Sequence, residues 1–443
     1  MNPIEYPPFR RYDSTELGEC CYEAVHPSGL RILVTPKDMT SCYAALGVAV
    51  GSFDRLPGQP AGVAHFLEHK MFETVGGGDA EVTFAALGAE VNAYTTYDKT
   101  VYLFSCTPRP GSDTVSRALG ALLRMVGRLH VTPASVKRER GIIREEIRMG
   151  ADDPWEVCSN LLLKSLYRRH PIREDICGSE RSVGRITEGV LREAFSTYYD
   201  RGRMVLAVCG ATTPSEVLAA VDACLKPRGV ARKAAPPPPT RVFREPSAVF
   251  CEKSVRDMRS AGTGRGEGAK PVFAIGIKDP QVPTDPQGLL RRDLCMCILS
   301  EMLFSCSEDF YNDLYELGLI TPGAAYGSSV GRGYGYYDFT GESDDPEAVW
   351  EAFQAYVDKL THEGLSRASF ERSRRIQYAD HVSNFDSTEG IGNLLLTYAM
   401  DGLSLFDLLP LSATVTFEEI EALFRATFRP GQYTLAVVYP PQT

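Results

Sequence analysis

Histidine is scarce in this chain, seven residues in 443, so each one asks for an explanation. Positive charge is also in short supply: 47 Lys and Arg stand against 57 Asp and Glu, a net charge of −10. With no basic stripe to offset that balance, the composition argues against a nucleic-acid partner. Long apolar runs are missing. The longest, CYAALGVAV at 42–50, is far short of a membrane span. The opening residues MNPIEYPPFRRYDSTE hold no apolar segment of the kind a secretory signal uses, so the expected location is cytoplasmic, with no membrane partner. Cysteine is plentiful, at twelve, but no CxxC pair occurs, and Cys20–Cys21 and Cys295–Cys297 are too close for an ordinary disulfide framework. Reduced, mostly buried thiols are expected, not a disulfide scaffold or a zinc cage.

What is present is the composition of a soluble globular protein, 44% hydrophobic and 23% charged, and a length suited to two domains. The clearest break is KPRGVARKAAPPPPT at 226–240, whose four prolines disfavour helix and sheet interior alike. It predicts an N-terminal domain over 1–226, a Pro-rich linker over 227–240 and a C-terminal domain over 241–443. The two pieces resemble each other. Thr187, Phe195 and Leu206-Ala207-Val208 match Thr416, Phe424 and Leu435-Ala436-Val437, all at an offset of 229 residues. In both, a threonine precedes an amphipathic helix and an apolar strand closes the unit, so the chain reads as duplicated domains. LRILVTP, SCYAALGVAVGS and TVYLFSCT read as strands; TFAALGA, TVSRALGALLRMVGRL and PASVKRERGIIREEIRMGA read as helices. Strands in succession followed by helices favour an α+β class, each domain a mainly antiparallel sheet with helices packed on one face.

Two of the seven histidines stand four apart in GVAHFLEHKMF. On a helix over 61–74, His65 and His69 share a face with Cβ atoms about 6 Å apart, close enough for both imidazoles to reach one zinc ion. Glu68 borders that face and can serve as a base toward water there. An accidental HxxEH is expected in about one such chain in a hundred, which outweighs the alternative of two satisfied core histidines. A third ligand should be a distant carboxylate on a rigid element. RERGIIREEIRMGADDP at 138–154 offers Glu139 and Glu146, two turns apart on one helix face, and Glu145 about 100° around from it. The residues alone leave Glu145 and Glu146 both open.

With 76 residues between His69 and Glu146, this pattern resembles the pitrilysin or insulinase-like zinc peptidases, the inverzincins, and in particular their short branch of bacterial and mitochondrial processing-peptidase-like chains. GAEVNAYTTYDKTVYLF and HPIREDICGSERSVGRIT resemble further segments of that family. The resemblance implies zinc held by His65, His69 and Glu146, Glu68 as catalytic base, Glu139 in a supporting catalytic role and substrate main-chain contacts at Asn92, Ala93 and Tyr94. It implies a zinc endopeptidase acting on peptides or small unfolded polypeptides, its two duplicated domains forming a clamshell with an enclosed chamber. A homodimer, or a heterodimer with a paralogous subunit, is the implied assembly.

The second half departs from the pattern. LCMCILSEMLF places Cys297 and Glu301 near where ligands would fall, so a metal-free second half is expected. YNDLYELGL puts Asn312 and Leu319 where related active chains carry an arginine and a tyrosine that help bind the substrate carbonyl. The alternative reading is therefore a low-activity or non-catalytic subunit that binds peptide within a heteromeric complex. The glycines of 327–335 are expected in a loop.

Overall fold

The computed structural model describes residues 9–73, 78–226, 245–258 and 269–440. The Pro-rich linker expected at 227–240 lies outside the described residues. The chain folds into two compact units. The first comprises Met1–Glu145, Ile176–Thr240 and His381–Leu408; the second comprises Glu146–Asp175, Arg241–Asp380 and Leu409–Thr443. The units therefore follow the division at the linker only in part, because each includes a segment from the other half of the sequence.

Seven strands build the first unit's sheet: β1 (Arg10–Ser14), β2 (Glu19–Val25), β3 (Arg31–Pro36), β4 (Cys42–Val48), β5 (Ala89–Thr95), β6 (Thr100–Cys106) and β7 (Met204–Gly210). Their order is β1-β2-β3-β7-β4-β6-β5. The β3–β7 pair is parallel and the other five pairs are antiparallel. The central strands β4 and β7 are buried along their whole length, which is why CYAALGV and MVLAVCG are apolar without alternation. Four helices follow in this part of the chain: α1 (Val63–Met71), α2 (Ala80–Ala85), α3 (Thr114–Val126) and α4 (Pro133–Asp152). α1 and α3 pack on β6, and α1 also on β5. α2 ends four residues before the expected TFAALGA helix does, because Gly88 turns the chain at φ +68° and β5 starts at Ala89.

The sheet's other face is covered by the helix Thr388–Met400, from the far end of the sequence. Ile391, Leu395, Leu396 and Ala399 share a core with Tyr43, Ala45, Ala207 and Cys209. The fit is close: a Cβ on Gly47 would lie 2.4 Å from Met400 Sδ, and one on Gly392 2.4 Å from the Tyr43 ring. The Tyr43 hydroxyl donates to Asn393 Oδ1 at 2.7 Å.

The second unit repeats the plan with five strands: β8 (Lys253–Asp257), β9 (Val272–Lys278), β10 (Ala325–Gly331), β11 (Tyr334–Glu342) and β12 (Tyr433–Tyr439), in the order β10-β11-β9-β12-β8. Here the helix from the other half of the sequence is α5 (Pro154–Leu166), which packs on β9 and β12. α5 is separated from α4 by Asp153, whose side chain caps Trp155 N–H, with Pro154 at the first helical position. A Cβ at Gly276 would lie 2.6 Å from Leu162 Cδ1, so this contact too depends on a glycine. The 229-residue repeat is realised residue for residue: β7 corresponds to β12, and the helix Glu188–Tyr198 to Phe417–Thr427. Thr187 and Thr416 each cap their helix, accepting from Val190 N–H and Glu419 N–H.

Two expectations are revised. The glycines of 327–335 are not a loop: they lie in the β10–β11 hairpin, paired from Ala325↔Thr340 to Gly331↔Tyr334, with Gly333 at φ +83° in the turn. All twelve cysteines are free thiols, as expected, but one of them lies among possible metal ligands. Among the described residues no single helix is long and apolar enough to cross a membrane.

Candidate active site

The site is built on α1, which starts where Gly62 adopts a left-handed conformation at φ +89°. A Cβ at Gly62 would sit 2.4 Å from the carbonyl oxygen of Cys177; one at Gly178, φ +81°, would sit 2.8 Å from the carbonyl oxygen of Ala61. Two glycines therefore let the backbone of 177–178 lie directly against the start of α1. The helix is shorter than the expected 61–74: it spans Val63–Met71, with Phe72 as its C-cap. Every residue of it except His69 is buried.

The His65 and His69 rings lie with centroids 4.6 Å apart. Burial, and then the proximity of His69, pushes the His65 pKa down to about 4. His65 is thus a neutral imidazole, the form that binds a metal. His69 Nδ1 lies 3.0 Å from Glu139 Oε1. Burial alone would raise the Glu139 pKa, but its hydrogen bond with His69 and the charges of Lys70 and Arg138 hold it below the ordinary carboxylate value. The Lys70 side chain is wholly buried and pairs with Glu73, and its Nζ is 3.9 Å from Glu139 Oε2. Glu73 meets Arg138 at 3.3 Å. A continuous run of charge thus extends from His69 through Glu139 and Lys70 to Glu73 and Arg138.

Glu68 is held by a different partner. Its Oε2 accepts a hydrogen bond from Thr95 Oγ1 on β5 at 2.5 Å. Among the described residues β5 is the last strand of the sheet and pairs on one side only, with β6. A cavity of about 470 Å³ opens here, with Glu68, His69, Phe72, Asn92, Ala93 and Ile142 in its lining. Of the expected substrate contacts, Asn92 and Ala93 reach this cavity, whereas the Tyr94 side chain packs toward the core beneath Thr388–Met400. The Ala93 N–H donates to Asn92 Oδ1 at 2.8 Å.

Possible metal ligands come together at His65, Glu146 and Cys177, whose ligand atoms lie within 4.8 Å of one another. Glu146 is on α4, two turns beyond Glu139. Neither Glu145 nor His69 belongs to this group of three. Neutral imidazole, carboxylate and thiol are zinc-type donors, so the residues fit that metal. Sequence reasoning missed Cys177 and Thr95, and with them Lys70, Glu73 and Arg138 around Glu139. Thr95 lay within VNAYTT, but nothing local singled it out. Cys177 Sγ lies 3.9 Å from His65 Nε2 across 112 residues of sequence, and the only trace was Gly178 next to the cysteine and Gly62 three residues before the histidine.

In the second unit the places of interest are tied up locally. Tyr326 donates to Glu301 Oε2 at 2.5 Å, and Cys297 Sγ lies 3.8 Å from Ser328 Oγ. Asn312 Nδ2 donates to the Glu308 carbonyl at 3.0 Å. Among the described residues, neither Cys297 nor Glu301 belongs to a group of three possible metal ligands.

Comparison with known proteins finds two matching family descriptions: "Insulinase (Peptidase family M16)" over residues 31–180 and "Peptidase M16 inactive domain" over 185–377. The chain is 28% identical to the uncharacterized zinc protease YmfH of Bacillus subtilis, over 99% of both chains. It is similar over 43% of its length to the human mitochondrial-processing peptidase subunit beta, at 29% identity and covering 39% of that protein. Among solved structures, an M16-like peptidase from Alicyclobacillus acidocaldarius superposes with a TM-score of 0.86 at 27% identity, over 97% of this chain and all of that one.

Proposed function

Because the chain belongs to peptidase family M16, we propose that it is a zinc-dependent endopeptidase acting on peptides or small unfolded polypeptides. The observation that carries this reading is the placing of Glu68: buried between two histidines, fixed by Thr95, and lining a cavity beside an edge strand. His65, His69 and Glu146 would hold the zinc. When bound, zinc supplies Lewis acidity, polarising the scissile carbonyl and acidifying water. Glu68 takes the proton of the attacking water on its carboxylate and delivers it to the departing amide nitrogen. Thr95 keeps that carboxylate aimed. Glu139 fixes the ring orientation of His69 through Nδ1, which leaves Nε2 for the metal. The edge of β5 can take an extended peptide as an added strand, so that affinity comes from main-chain bonds and is tolerant of sequence.

The test is mass-spectrometric readout of a mixture of unstructured peptides, incubated with the zinc-loaded chain and with Glu68→Gln. The parent should cut. The variant should be slower by about 10²–10⁴-fold, the usual worth of a positioned base, while retaining its zinc. Equal cutting by both would remove Glu68 from the role of base.

Asn312 and Leu319 favour a second reading: a subunit that binds peptide but turns over slowly until a paralogous partner, or a second copy, completes its site. Donors to the substrate oxyanion are worth roughly 10²–10³ in rate, and Asn312 is engaged with Glu308 instead. If neither protein cuts and both hold zinc, this second reading takes the place of the first.

A further inference from the structure

We propose that Cys177 is a thiolate ligand of the resting metal, alongside His65 and Glu146, in the position that the attacking water takes once the thiolate has left. The proposal rests on the reading above that the chain binds zinc, and adds a donor that the HxxEH pattern does not contain.

Distance is the first argument. Zinc bonds of about 2.0 Å to nitrogen and 2.3 Å to sulfur, at tetrahedral angles, separate the two ligand atoms by about 3.5 Å. Cys177 Sγ and His65 Nε2 are 3.9 Å apart, so a shift of a few tenths of an ångström, about 0.4 Å, brings both into one coordination sphere. Glu146 lies within the same 4.8 Å group.

The second argument is that the fold holds Cys177 in place. Gly62 and Gly178 are both left-handed, and each faces a carbonyl oxygen of the opposite segment at a distance no side chain could share. Directly after them, Ser179 and Ser182 form a capping box around the short helix Glu180–Val183, which sets the direction of the chain leaving Cys177. The thiol is therefore presented to His65 by a braced segment. Most of the other cysteines sit in apolar surroundings: Cys42 and Cys209 lie within central strands, and Cys158 beneath the second sheet.

Chemistry follows from the sulfur. On binding, the S–H bond breaks, its proton leaves to solvent, and sulfur bonds to the metal, so each metal bound releases one proton more than a histidine–carboxylate set would. A soft donor also biases the site toward zinc and away from magnesium and manganese.

The experiment titrates metal-free protein with Co²⁺ and records the absorption spectrum. The parent should show the near-ultraviolet thiolate-to-cobalt charge-transfer band. Cys177→Ser should lose it, release one proton fewer per metal, and bind zinc at least about tenfold more weakly in chelator competition. Cys177→Asp, which restores an oxygen ligand, should recover part of the affinity without the band. Cys306→Ser, at an exposed cysteine, should leave band and affinity alone. Cobalt bound by the parent with no charge-transfer band, or a band that survives in Cys177→Ser, would overturn the role of Cys177 while leaving the zinc site standing. Parent protein that binds neither cobalt nor zinc would overturn both readings.

Discussion

α1 in the first unit and the helix Pro286–Phe304 in the second are built alike and differ in what they carry. Each packs on the edge strand of its sheet, β5 or β10. Each buries a glutamate to nearly the same extent, Glu68 at 9% exposure and Glu301 at 7%. Each of those carboxylates accepts a hydrogen bond of 2.5 Å from a hydroxyl on the edge strand, Thr95 or Tyr326. The helix–carboxylate–strand contact is thus a property of the shared fold and by itself says nothing about catalysis. What separates the two is the pair of imidazoles, present three residues before and one after Glu68, where Ile298 and Met302 stand around Glu301. A buried glutamate becomes a base only where something beside it can hold the group it acts on.

The comparison breaks most sharply at the metal. His65→Ala should reduce bound zinc, measured by elemental mass spectrometry, from one per chain to none, whereas Cys297→Ala should leave it at one. Zinc retained by the first variant or lost from the second would place the metal elsewhere. An intermediate effect is expected at Glu139→Gln, which keeps the shape but removes the charge opposite His69 Nδ1: zinc affinity should fall about 10–100-fold with the fold intact by circular dichroism. The smallest effect sharpens the contrast between the two helices. Thr95→Val and Tyr326→Phe each deprive a buried carboxylate of a donor, and each should cost about 1–3 kcal/mol in urea unfolding. Only Thr95→Val should also lower kcat. Equal loss of turnover in both would mean that Glu301 and Tyr326 take part in the reaction.

Much of this was legible in the sequence because it is local. HxxEH on a helix is a statement about spacing, and α1 obeys it. The repeat at 229 residues is a statement about order along the chain, and β7 with β12 obeys it to the residue. Apolar runs such as CYAALGV marked central strands because burial on both faces needs no alternation. What was not legible depends on contacts between distant segments. α5 and the helix Thr388–Met400 have ordinary apolar faces, and helical periodicity does not say which sheet a face will cover. Gly392 and Gly276 are small because a tyrosine ring and a leucine approach them, but a glycine in a sequence does not name its neighbour. Cys177 was hidden for the same reason, and the general expectation of inert buried thiols passed over it. The glycine-rich 327–335 stretch misled in the opposite direction, since a tight hairpin and a loop share that composition.

The exchange of helices bears on how the chain is made. β1 to β7 are all complete once Gly210 has been synthesised, yet the helix that covers one face of their sheet begins only at Thr388. At ribosomal rates of about 5–20 residues per second, that interval lasts on the order of ten seconds or more. Throughout it, Tyr43, Ala45, Ala207 and Cys209 belong to a sheet whose lid does not yet exist. The nascent first half therefore spends its early life with an apolar surface open to its surroundings, a period in which chaperones find a client and neighbouring copies find a template for aggregation.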